Sequence, residues 1–533
     1  MNLSKIVEHL AESNHSNVVV CFENAQVVRR THSQVYLDVR IACAHLNQWG
    51  VKPGMRVGIR AANCYQWLVY DLALIETRAI SVAFTDDFAS ADFQELIDKY
   101  SLSLLLVSSA DTKANSRNST VAFLDAENGD VQAIPNAAVF PDYDFENPGL
   151  VFSSGSSGRL KGLILNRLGI EASVDAFTQA VGPQHDDCLL LFLPISNFQQ
   201  RLMYYSAFWY GFDLIVTDPT HLFRALKDLH PTILIAPPML YEAFETRFSN
   251  LPRSKQRTAK IAGNIIRWLP RKTWRNNASK LFFKEVHKAL GGRMRCMITG
   301  MAPIRRSTLT LFGLMQLPLF ETYGITEFGS ISLNLPGACK PGSVGRLLPG
   351  VKVEFADDGE IIARREHSLA SGYFECSAAE ESNTFIARGR VATGDIGRID
   401  DEGYLHLLGR KKEIVITSGG EKIHPEIIEA EIESCPEVER AVVFKDADEF
   451  SLAAVVLPRR QNDLAVRERI EQVIEGINDR IPSMQVSRVV FTDIVFSREN
   501  GFLRPNLKLD RKRIARHFQP QAGPELVPAT RSA

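Results

Sequence analysis

Apolar positions between residues 31 and 107 follow two alternating spacings. Segment 31–50 has the helical spacing and ends at a glycine, which predicts an amphipathic helix. Its apolar positions are Val35, Val39, Ala42, Ala44 and Leu46. The elements predicted after it alternate in type: a turn and strand within 51–61, helix 64–79, strand 80–84, helix 93–100 and strand 102–109. Repeated strand–helix units predict a parallel sheet covered by helices, and therefore an α/β fold.

The pattern changes in the last quarter of the chain. After residue 411 a small α+β arrangement is predicted: strand 413–417, helix 425–436, strands 438–444 and 452–457, and helix 467–482. The final segment, 519–533, is rich in proline and alanine and has no periodicity, which predicts disorder.

Length and composition narrow the class of protein. A chain of 533 residues is too long for one compact core, so at least two domains are expected. The net charge of −1, with 45% hydrophobic and 23% charged residues, is typical of a soluble globular protein. This balance gives no electrostatic argument for a nucleic-acid partner.

The cysteines and the amino terminus indicate the compartment. Eight single cysteines without CxxC spacing predict reduced thiols in a cytoplasmic protein. The amino terminus lacks a long apolar run, and no stretch of eighteen apolar residues occurs. We therefore expect neither secretion nor a membrane span, and at most peripheral membrane contact.

One charged segment stands apart from the rest. Residues 251–290 contain eleven Lys or Arg and a single acid, Glu285, interleaved with apolar residues that include Ile265, Trp268 and Trp274. One interpretation is a basic face for an acidic carrier protein, the phosphates of coenzyme A or an anionic membrane. The alternative is a solvated helical face with snorkelling side chains.

Segment 152–162, FSSGSSGRLKG, combines serines, glycines and one lysine after a short apolar run. Small residues let backbone N–H groups approach an anion, hydroxyls add donors, and Lys161 supplies a positive charge for phosphate oxygens. No Gly-Lys-Ser/Thr closes the segment as in a P-loop, which argues against a GTPase or kinase. The alternative is a flexible Ser/Gly linker that contains a stray lysine.

Further motifs follow this segment in a fixed order: Tyr-Gly-Ile-Thr-Glu at 323–327, Gly-Glu-Ile at 359–361, Thr-Gly-Asp at 393–395 and Gly-Arg at 409–410. Together they resemble the adenylate-forming superfamily of acyl-CoA synthetases, aryl-CoA ligases, luciferases and peptide-synthetase adenylation domains. Leu160 stands where that family usually has proline. The carboxy-terminal segment around Lys508 is most similar to long-chain fatty acid–CoA ligases.

The resemblance implies a domain organisation. A large, multi-sheet α/β adenylation domain would span 1–410, and a small, mobile α+β domain carrying the catalytic lysine would span 411–518. Residues 519–533 would form a disordered tail. Lys412 would be the hinge, and Gly419 and Gly420 would meet the pantetheine arm of the thiol substrate because two glycines permit close backbone approach.

The resemblance also implies site residues for ATP. Lys508, Thr326, Glu327 and Lys161 would be catalytic, with Glu327 holding Mg²⁺. ATP or AMP would contact Ser153, Ser154, Gly155, Ser156, Ser157, Gly158, Gly300, Met301, Ala302, Tyr323, Gly324, Thr326, Asp395 and Arg410. Tyr323 would stack on adenine, Asp395 would accept from the ribose hydroxyls, and Arg410 would pair with ribose or phosphate. Only the resemblance distinguishes Lys508 from Lys512.

For the acyl pocket we expect Asn197, Phe198, Tyr210 and Thr299. The family usually has His where Asn197 stands, which bears on the shape of the pocket. The aromatic cluster that ends at Tyr210 is equally explained as helix core.

The implied reaction converts a medium- or long-chain fatty acid, or a similar apolar acid, to its adenylate with ATP and Mg²⁺, and then to a thioester of coenzyme A. One alternative is an acyl ligase that loads the phosphopantetheine of an acyl carrier protein. The other is a degenerate protein that binds nucleotide or acyl-adenylate without turnover. We expect a monomer or homodimer.

Overall fold

The structure is a computed structural model. It describes residues 1–12, 16–23, 26–85, 88, 90–108, 120–124, 145–154, 160–416, 422–446, 451–459, 463–481, 485–497, 499–503 and 509–519. The chain divides into two compact units. The first comprises Met1–Thr393 and Arg398–His406, and the second comprises Gly394–Gly397 and the described residues from Leu407 onward.

The strands are distributed over both units. In chain order they are β1 Val18–Glu23, β2 Gln26–Thr31, β3 Arg56–Arg60, β4 Ile80–Ala83, β5 Leu104–Val107, β6 Val121–Phe123, β7 Gly149–Ser154, β8 Leu160–Leu165, β9 Cys188–Leu191, β10 Asp213–Val216, β11 Ile233–Ala236, β12 Cys296–Thr299, β13 Leu319–Ile325, β14 Gly329–Leu333, β15 Arg346–Leu347, β16 Lys352–Phe355, β17 Glu360–Arg364, β18 Ala370–Phe374, β19 Phe385–Ala387, β20 Arg390–Ile399, β21 Leu405–Arg410, β22 Val415–Ile416, β23 Lys422–Ile423, β24 Val438–Lys445, β25 Leu452–Pro458 and β26 Val486–Phe491.

The helices are α1 Ile6–Glu12, α2 His32–Gln48, α3 Tyr65–Glu76, α4 Phe93–Tyr100, α5 Arg167–Val181, α6 Phe198–Tyr210, α7 Leu222–Leu229, α8 Pro238–Ser249, α9 Arg253–Arg267, α10 Lys272–Phe282, α11 Lys284–Ala289, α12 Arg306–Leu314, α13 Ala378–Ser382, α14 Pro425–Ile432, α15 Leu464–Asn478 and α16 Arg511–Phe518. Short 3₁₀ turns lie at Leu3–Lys5 and Lys411–Glu413.

The largest sheet has nine strands in the order β15-β14-β13-β12-β11-β9-β10-β1-β2. Its six central strands, from β13 to β1, are all parallel, and β2, β14 and β15 run antiparallel to their neighbours. The carboxyl ends of the parallel strands therefore lie along one edge. The loops that leave this edge carry several of the predicted site residues.

The second sheet has seven strands in the order β18-β8-β7-β4-β3-β5-β6. Strands β6, β5, β3, β4 and β7 are parallel, as the alternating pattern predicts. Strand β8 returns antiparallel to β7 and places Lys161 opposite Ser153. Strand β18 closes this end of the sheet by pairing antiparallel to β8. A third sheet has the order β16-β17-β20-β19, with β21 pairing on β20.

The predicted helices of the amino-terminal region are confirmed. Helix α2 begins with a capping box in which Thr31 accepts from the Gln34 backbone and Gln34 accepts from the Thr31 backbone. The prediction for its buried face was wrong at one position, because Cys43 is buried and Ala44 is exposed. The two positions are adjacent in sequence and therefore about 100° apart around the helix. The side chain that packs into the core is the thiol of Cys43.

The second unit has the predicted α+β composition. Its main sheet has the order β24-β25-β26, and β22 pairs with β23 in a separate ribbon. One face of the main sheet packs with Ile432 and Ile470 from α14 and α15, and the other packs with Ile514 from α16. Both faces of β24 and β25 are therefore covered, which explains the continuous apolar runs 441–444 and 452–457. Of the predicted tail, all residues after Gln519 lie outside the described residues.

Candidate active site

The carboxyl edge of the nine-stranded sheet brings three predicted segments together. After β9 the chain passes to β10 on one side and then to β11 on the other, so the strand order reverses at β9. Open α/β sheets bind ligands outside the carboxyl ends of their strands at such a reversal. The loops after β9, β12 and β13 carry Asn197, Gly300 and Thr326 respectively.

The β13–β14 hairpin holds the Tyr-Gly-Ile-Thr-Glu motif. Tyr323 is buried in β13, and a register shift between Tyr323 and Gly324 bends the strand there. A Cβ at Gly324 would lie 2.5 Å from the carbonyl oxygen of Gly329, so only glycine fits this close approach. Thr326 and Glu327 follow in the turn that joins the two strands.

Arg365 holds this turn in place through hydrogen bonds. Its Nη2 donates to the carbonyl oxygen of Phe328 and to Oγ of Ser173, both at 2.9 Å. The guanidinium is buried, and burial lowers the pKa of Arg365 to about 10. Sequence reasoning missed this residue because a single arginine in a basic stretch carries no signal.

Tyr373, on β18, joins two of the predicted catalytic residues. Its Oη donates to Oε1 of Glu327 at 3.1 Å, and Nζ of Lys161 lies 4.7 Å from the centre of its ring. Burial, followed by the negative charge of Glu327, raises the pKa of the Tyr373 phenol above its ordinary value. A lysine and a carboxylate predicted for ATP therefore share one aromatic neighbour. In the sequence Tyr373 stood out only as part of a Gly-Tyr pair, and no role was predicted for it.

The β12 loop carries the predicted Gly300, Met301 and Ala302. A Cβ at Gly300 would lie 2.8 Å from Cγ2 of Thr322 on β13, so this turn approaches the neighbouring strand closely. Met301 is exposed and has a φ of +71°, in the left-handed region. Thr299 ends β12, is buried, and its Oγ1 has no hydrogen-bond partner among the described residues.

The loop after β9 is held in place by Asn63. Its side chain donates to the carbonyl oxygens of Leu193 and Thr217, at 2.8 and 2.9 Å, and accepts from the backbone of Ile195 at 2.8 Å. Asn197 ends the loop as the cap of α6, where its side chain accepts from the Gln199 backbone at 3.4 Å. Sequence reasoning missed Asn63, which lies more than a hundred residues from the loop it binds.

Phe198 and Tyr210 lie at opposite ends of α6. Phe198 is buried against Tyr205 and the guanidinium of Arg201, which pairs with the buried Asp71 at 3.1 Å. Tyr210 is exposed and donates to a surface carboxylate, that of Asp175, at 2.6 Å. A helix of 13 residues spans about 20 Å, so the structure does not bring Tyr210 together with Asn197.

In the second unit, two of the predicted ribose contacts are adjacent. Nε of Arg410 lies 2.8 Å from Oδ1 of Asp395, which is buried. The predicted hinge, Lys412, lies exposed in the 3₁₀ turn that follows β21. The guanidinium of Arg511, at the start of α16, donates to Oε2 of Glu413 at 3.2 Å and to the carbonyl oxygen of Val443 at 2.7 Å.

Several predicted residues cannot be placed. Gly155, Ser156, Ser157 and Gly158, the side chains of Ser153 and Ser154, Gly419 and Gly420, and Lys508 lie outside the described residues. Their predicted roles stay predictions.

The residues around Glu327 fit a magnesium ion that is bound mainly by substrate. No cluster of three or more His, Cys, Asp or Glu side chains suited to a metal occurs in the described parts of the chain. Mg²⁺ is commonly held by one or two carboxylates together with phosphate oxygens and water. The hydroxyl of Tyr373 donates to Oε1 of Glu327, and the second carboxylate oxygen, Oε2, is the atom that would bind the ion.

Comparison with known protein families shows which family the chain belongs to. Residues 7–374 match the model of the AMP-binding enzymes, and residues 412–520 match the AMP-binding enzyme C-terminal domain. The chain belongs to the AMP-binding enzyme family. The predicted resemblance to adenylate-forming enzymes is thereby confirmed.

Relatives of this AMP-binding enzyme include long-chain-fatty-acid–CoA ligases. It is 26% identical over 550 residues to FadD15 of Mycobacterium bovis, covering 90% of this chain and 89% of that protein. It is 28% identical over 426 residues to long-chain-fatty-acid–CoA ligase 1 of Homo sapiens, covering 70% of this chain and 60% of that protein.

Solved structures with the same fold include ATP-bound MatB from Rhodopseudomonas palustris. That structure is 20% identical, has a TM-score of 0.73, and aligns over 97% of this chain and 99% of its own. MenE from Bacillus subtilis, solved with its acyl-adenylate OSB-AMP, is 17% identical with a TM-score of 0.70, over 96% and 97% of the two chains. At these identities the likeness establishes the fold, an α/β acyl-CoA synthetase fold with a large amino-terminal domain and a carboxy-terminal AMP-binding domain.

Two further observations concern the chain as a whole. All eight cysteines lie in the part of the chain that the structure describes, and none of them forms a disulfide; they range from buried to exposed. Among the helices that the structure describes, none combines the length and the apolar character needed to cross a bilayer.

Proposed function

We propose that this AMP-binding enzyme activates a medium- or long-chain fatty acid, or a similar apolar acid, and transfers it to the thiol of coenzyme A. The observation that carries the proposal is the approach of Lys161 and Glu327 to the same tyrosine, Tyr373. The names of the relatives support the substrate class. The single cysteines, none of which forms a disulfide, support a cytoplasmic location.

In the first step the substrate carboxylate attacks the α-phosphorus of ATP, and the bond to the β-phosphate oxygen breaks to release pyrophosphate. Negative charge gathers around phosphorus, so positive and hydrogen-bonding groups must be in place beforehand. Lys161 supplies an ammonium group, and Thr326 supplies a hydroxyl from the β13–β14 turn. Magnesium at Glu327 would neutralise phosphate charge. Lys508 would add a second ammonium group.

In the second step the thiol attacks the acyl carbonyl, forms the thioester and releases AMP. We propose that Gly419 and Gly420 accept the pantetheine arm. Both glycines lack a Cβ, which is what a narrow channel beside the backbone requires. In the second unit, Asp395 offers two acceptor oxygens for the ribose hydroxyls, and Arg410 lies within ion-pair distance of it.

A hydroxamate assay over a panel of carboxylic acids tests the proposal. Purified protein, ATP, Mg²⁺ and hydroxylamine should release acyl-hydroxamate from medium- or long-chain fatty acids and not from short polar acids. Formation with no acid of the panel would contradict the proposal and favour a binding protein without turnover.

The acceptor is tested separately. With the best acid, thioester formation should occur with coenzyme A. Turnover with a phosphopantetheinylated carrier protein alone would instead establish the acyl-ligase alternative, and the first step would stand in either case.

The Lys508 assignment has a matched control four residues away. Lys508→Ala should lower ATP–pyrophosphate exchange by about 10²- to 10³-fold, because one preorganised charged donor is lost. Lys512→Ala removes an exposed lysine at the start of α16 and should leave the exchange rate unchanged. Equal rates in the two variants would contradict the assignment.

A further inference from the structure

Helices α9 and α10 pack against each other and form what we call the basic hairpin, residues 253–282. Seven of the twenty large apolar side chains that are exposed in the described residues lie between Leu251 and Phe282. The most exposed are Trp268 at 87%, Leu281 at 80% and Ile265 at 62%. Such a concentration on about 6% of the chain marks an interaction surface rather than scattered exposure.

Helix α9 has two apolar stripes. Ala259, Gly263 and Ile266 are buried and face the protein, and a Cβ at Gly263 would lie 2.3 Å from the side chain of Leu314 on α12. Ile261 and Ile265 are exposed, and each lies two residues beyond a buried position. Two residues rotate a helix by about 200°, so the second stripe lies opposite the first and points away from the protein. Core packing explains only the first stripe.

Helix α10 repeats this arrangement. Its buried Ser279 donates to the carbonyl oxygen of Met315 and lies 2.9 Å from Nε2 of His287, which fixes the inner side of the helix. Trp274 and Leu281 are exposed and seven residues apart, so they share a face that lies opposite Ser279. The hairpin is therefore anchored on one side and apolar on the other.

Positive charge borders these apolar side chains. Residues 251–290 contain eleven Lys or Arg and one acid, and among the described residues none of the eleven cations is in an ion pair. On α9, Arg253, Arg257 and Lys260 lie on one flank of the exposed stripe. The guanidinium of Arg271 lies 5.2 Å from the ring centre of Trp274. In the snorkelling alternative, the aliphatic stems of Lys and Arg lie along the protein and their charged ends stay in water. That arrangement does not explain why the indole rings of Trp268 and Trp274 are exposed.

We propose that the basic hairpin docks this protein on the surface of an anionic lipid bilayer. Tryptophan and aliphatic side chains that protrude from a helix flanked by Lys and Arg suit the boundary between headgroups and acyl chains. The net positive charge of the segment complements an anionic surface. An acidic protein surface would satisfy the cations, but only a partner with an apolar face of its own would also cover side chains as exposed as Trp268 and Leu281, whereas an anionic bilayer supplies both environments.

Sedimentation with lipid vesicles tests the proposal on the full chain. The protein should pellet with vesicles of phosphatidylcholine containing about 30 mol% phosphatidylglycerol, and much less with phosphatidylcholine alone. Added salt should weaken binding, because screening removes the electrostatic part.

Two sets of variants locate the surface. The double variant Ile261→Ser with Ile265→Ser should lower the vesicle–water partition coefficient at least about tenfold, since each substitution removes an apolar side chain that would enter the bilayer. Arg257→Gln with Lys260→Gln should lower it mainly on anionic vesicles. Leu37→Ser with Ile41→Ser is the matched control, because these residues are equally exposed and four apart on α2. The control should bind as the unmodified protein does.

Three results would overturn the proposal: no pelleting of the unmodified protein, equal loss in the control variant, or retention in both hairpin variants. Binding of an acidic carrier protein that depends on the hairpin, without vesicle binding, would assign the surface to a protein partner. Circular dichroism at the concentrations used would separate loss of binding from loss of folding. The vesicle assay needs neither ATP nor turnover, so its outcome is independent of the proposed reaction.

Discussion

Tyr373 touches both Lys161 and Glu327, and its hydroxyl and its ring make different contacts. The hydroxyl donates to the carboxylate, whereas the ring lies beside the ammonium group. Replacement by phenylalanine removes the first contact and keeps the second. This separation makes the position informative about how the carboxylate is held.

We expect Tyr373→Phe to lower the ATP–pyrophosphate exchange rate by about tenfold, because the Glu327 carboxylate loses a donor that orients it. The free energy of unfolding in urea should fall by only about 1 kcal/mol. Tyr65→Phe is the control, since Tyr65 donates to Asp38 at 2.6 Å in a similar way. An unchanged exchange rate in Tyr373→Phe would show that this hydrogen bond is irrelevant to the reaction.

Glu321 provides a prediction about pH. It pairs with Thr299 between β13 and β12, and burial, opposed by the charge of Arg306, raises the pKa of its carboxyl to about 8. Above the unfolded pKa of 4.5 the folded state binds more protons than the unfolded state, so stability falls as pH rises toward about 8.

The contribution of Glu321 to this fall is at most about 1.4 kcal/mol per pH unit. Urea unfolding of Glu321→Gln across the same range should show a shallower decline than the unmodified protein. Parallel curves for the two proteins would contradict the raised pKa.

At the scale of secondary-structure elements, the turn between β13 and β14 depends on a residue from the loop after β17. Arg365 follows β17 and donates to the carbonyl oxygen of Phe328 in that turn and to Ser173 on α5. It therefore fixes the turn against a helix. The position of Thr326 and Glu327 follows from this support.

We expect Arg365→Met to lower the free energy of unfolding by about 3 kcal/mol, because buried acceptors lose their donor. The neighbouring Arg364 is exposed and pairs with Glu354 at the surface. Arg364→Met should cost less than about 1 kcal/mol. Urea titration of the two variants compares them directly, and equal costs would show that the buried contacts of Arg365 contribute nothing.

Most of the helices and strands could be predicted from local patterns in the sequence. The boundaries of α4 follow from a short amphipathic segment with Asp92 as its cap, and Thr31 with Gln34 explains the start of α2. Buried faces were predictable to within a neighbouring position, as Cys43 in place of Ala44 illustrates. Periodicity gives the direction of a face but not which of two adjacent small residues the core accepts.

The candidate site was predictable where one contiguous motif carries it, as at 323–327. It was not predictable where partners are distant in sequence. Tyr373 reaches Lys161 only because β18 pairs with β8. Asn63, which follows β3 of the seven-stranded sheet, reaches Ile195, which follows β9 of the nine-stranded sheet, only in the folded protein. No spacing rule in a single sequence encodes such pairings. Lys508 lies outside the described residues, so its catalytic role stays a prediction.

On the scale of the whole molecule, the two units have separate hydrophobic cores. Phe312, on α12, is buried in the core of the first unit, and Ile470, on α15, is buried in the core of the second. Units with their own cores can unfold in separate transitions.

We expect Ile470→Ala to destabilise the second unit by about 3 kcal/mol and Phe312→Ala to destabilise the first by about 4 kcal/mol. Hydrogen exchange of each unit should report its own variant and remain unchanged in the other. A common loss of protection throughout the chain in both variants would show that the units unfold together.

The positions of the five tryptophans make the intrinsic fluorescence of the protein sensitive to what covers its surface. Trp49 and Trp67 are shielded, whereas Trp268 and Trp274 stand in water. Iodide should therefore quench one fraction of the intrinsic fluorescence readily and leave another almost untouched. Any partner that covers the exposed indoles would shift their emission to the blue and protect them from the quencher, so contact with this side of the molecule could be followed without a label.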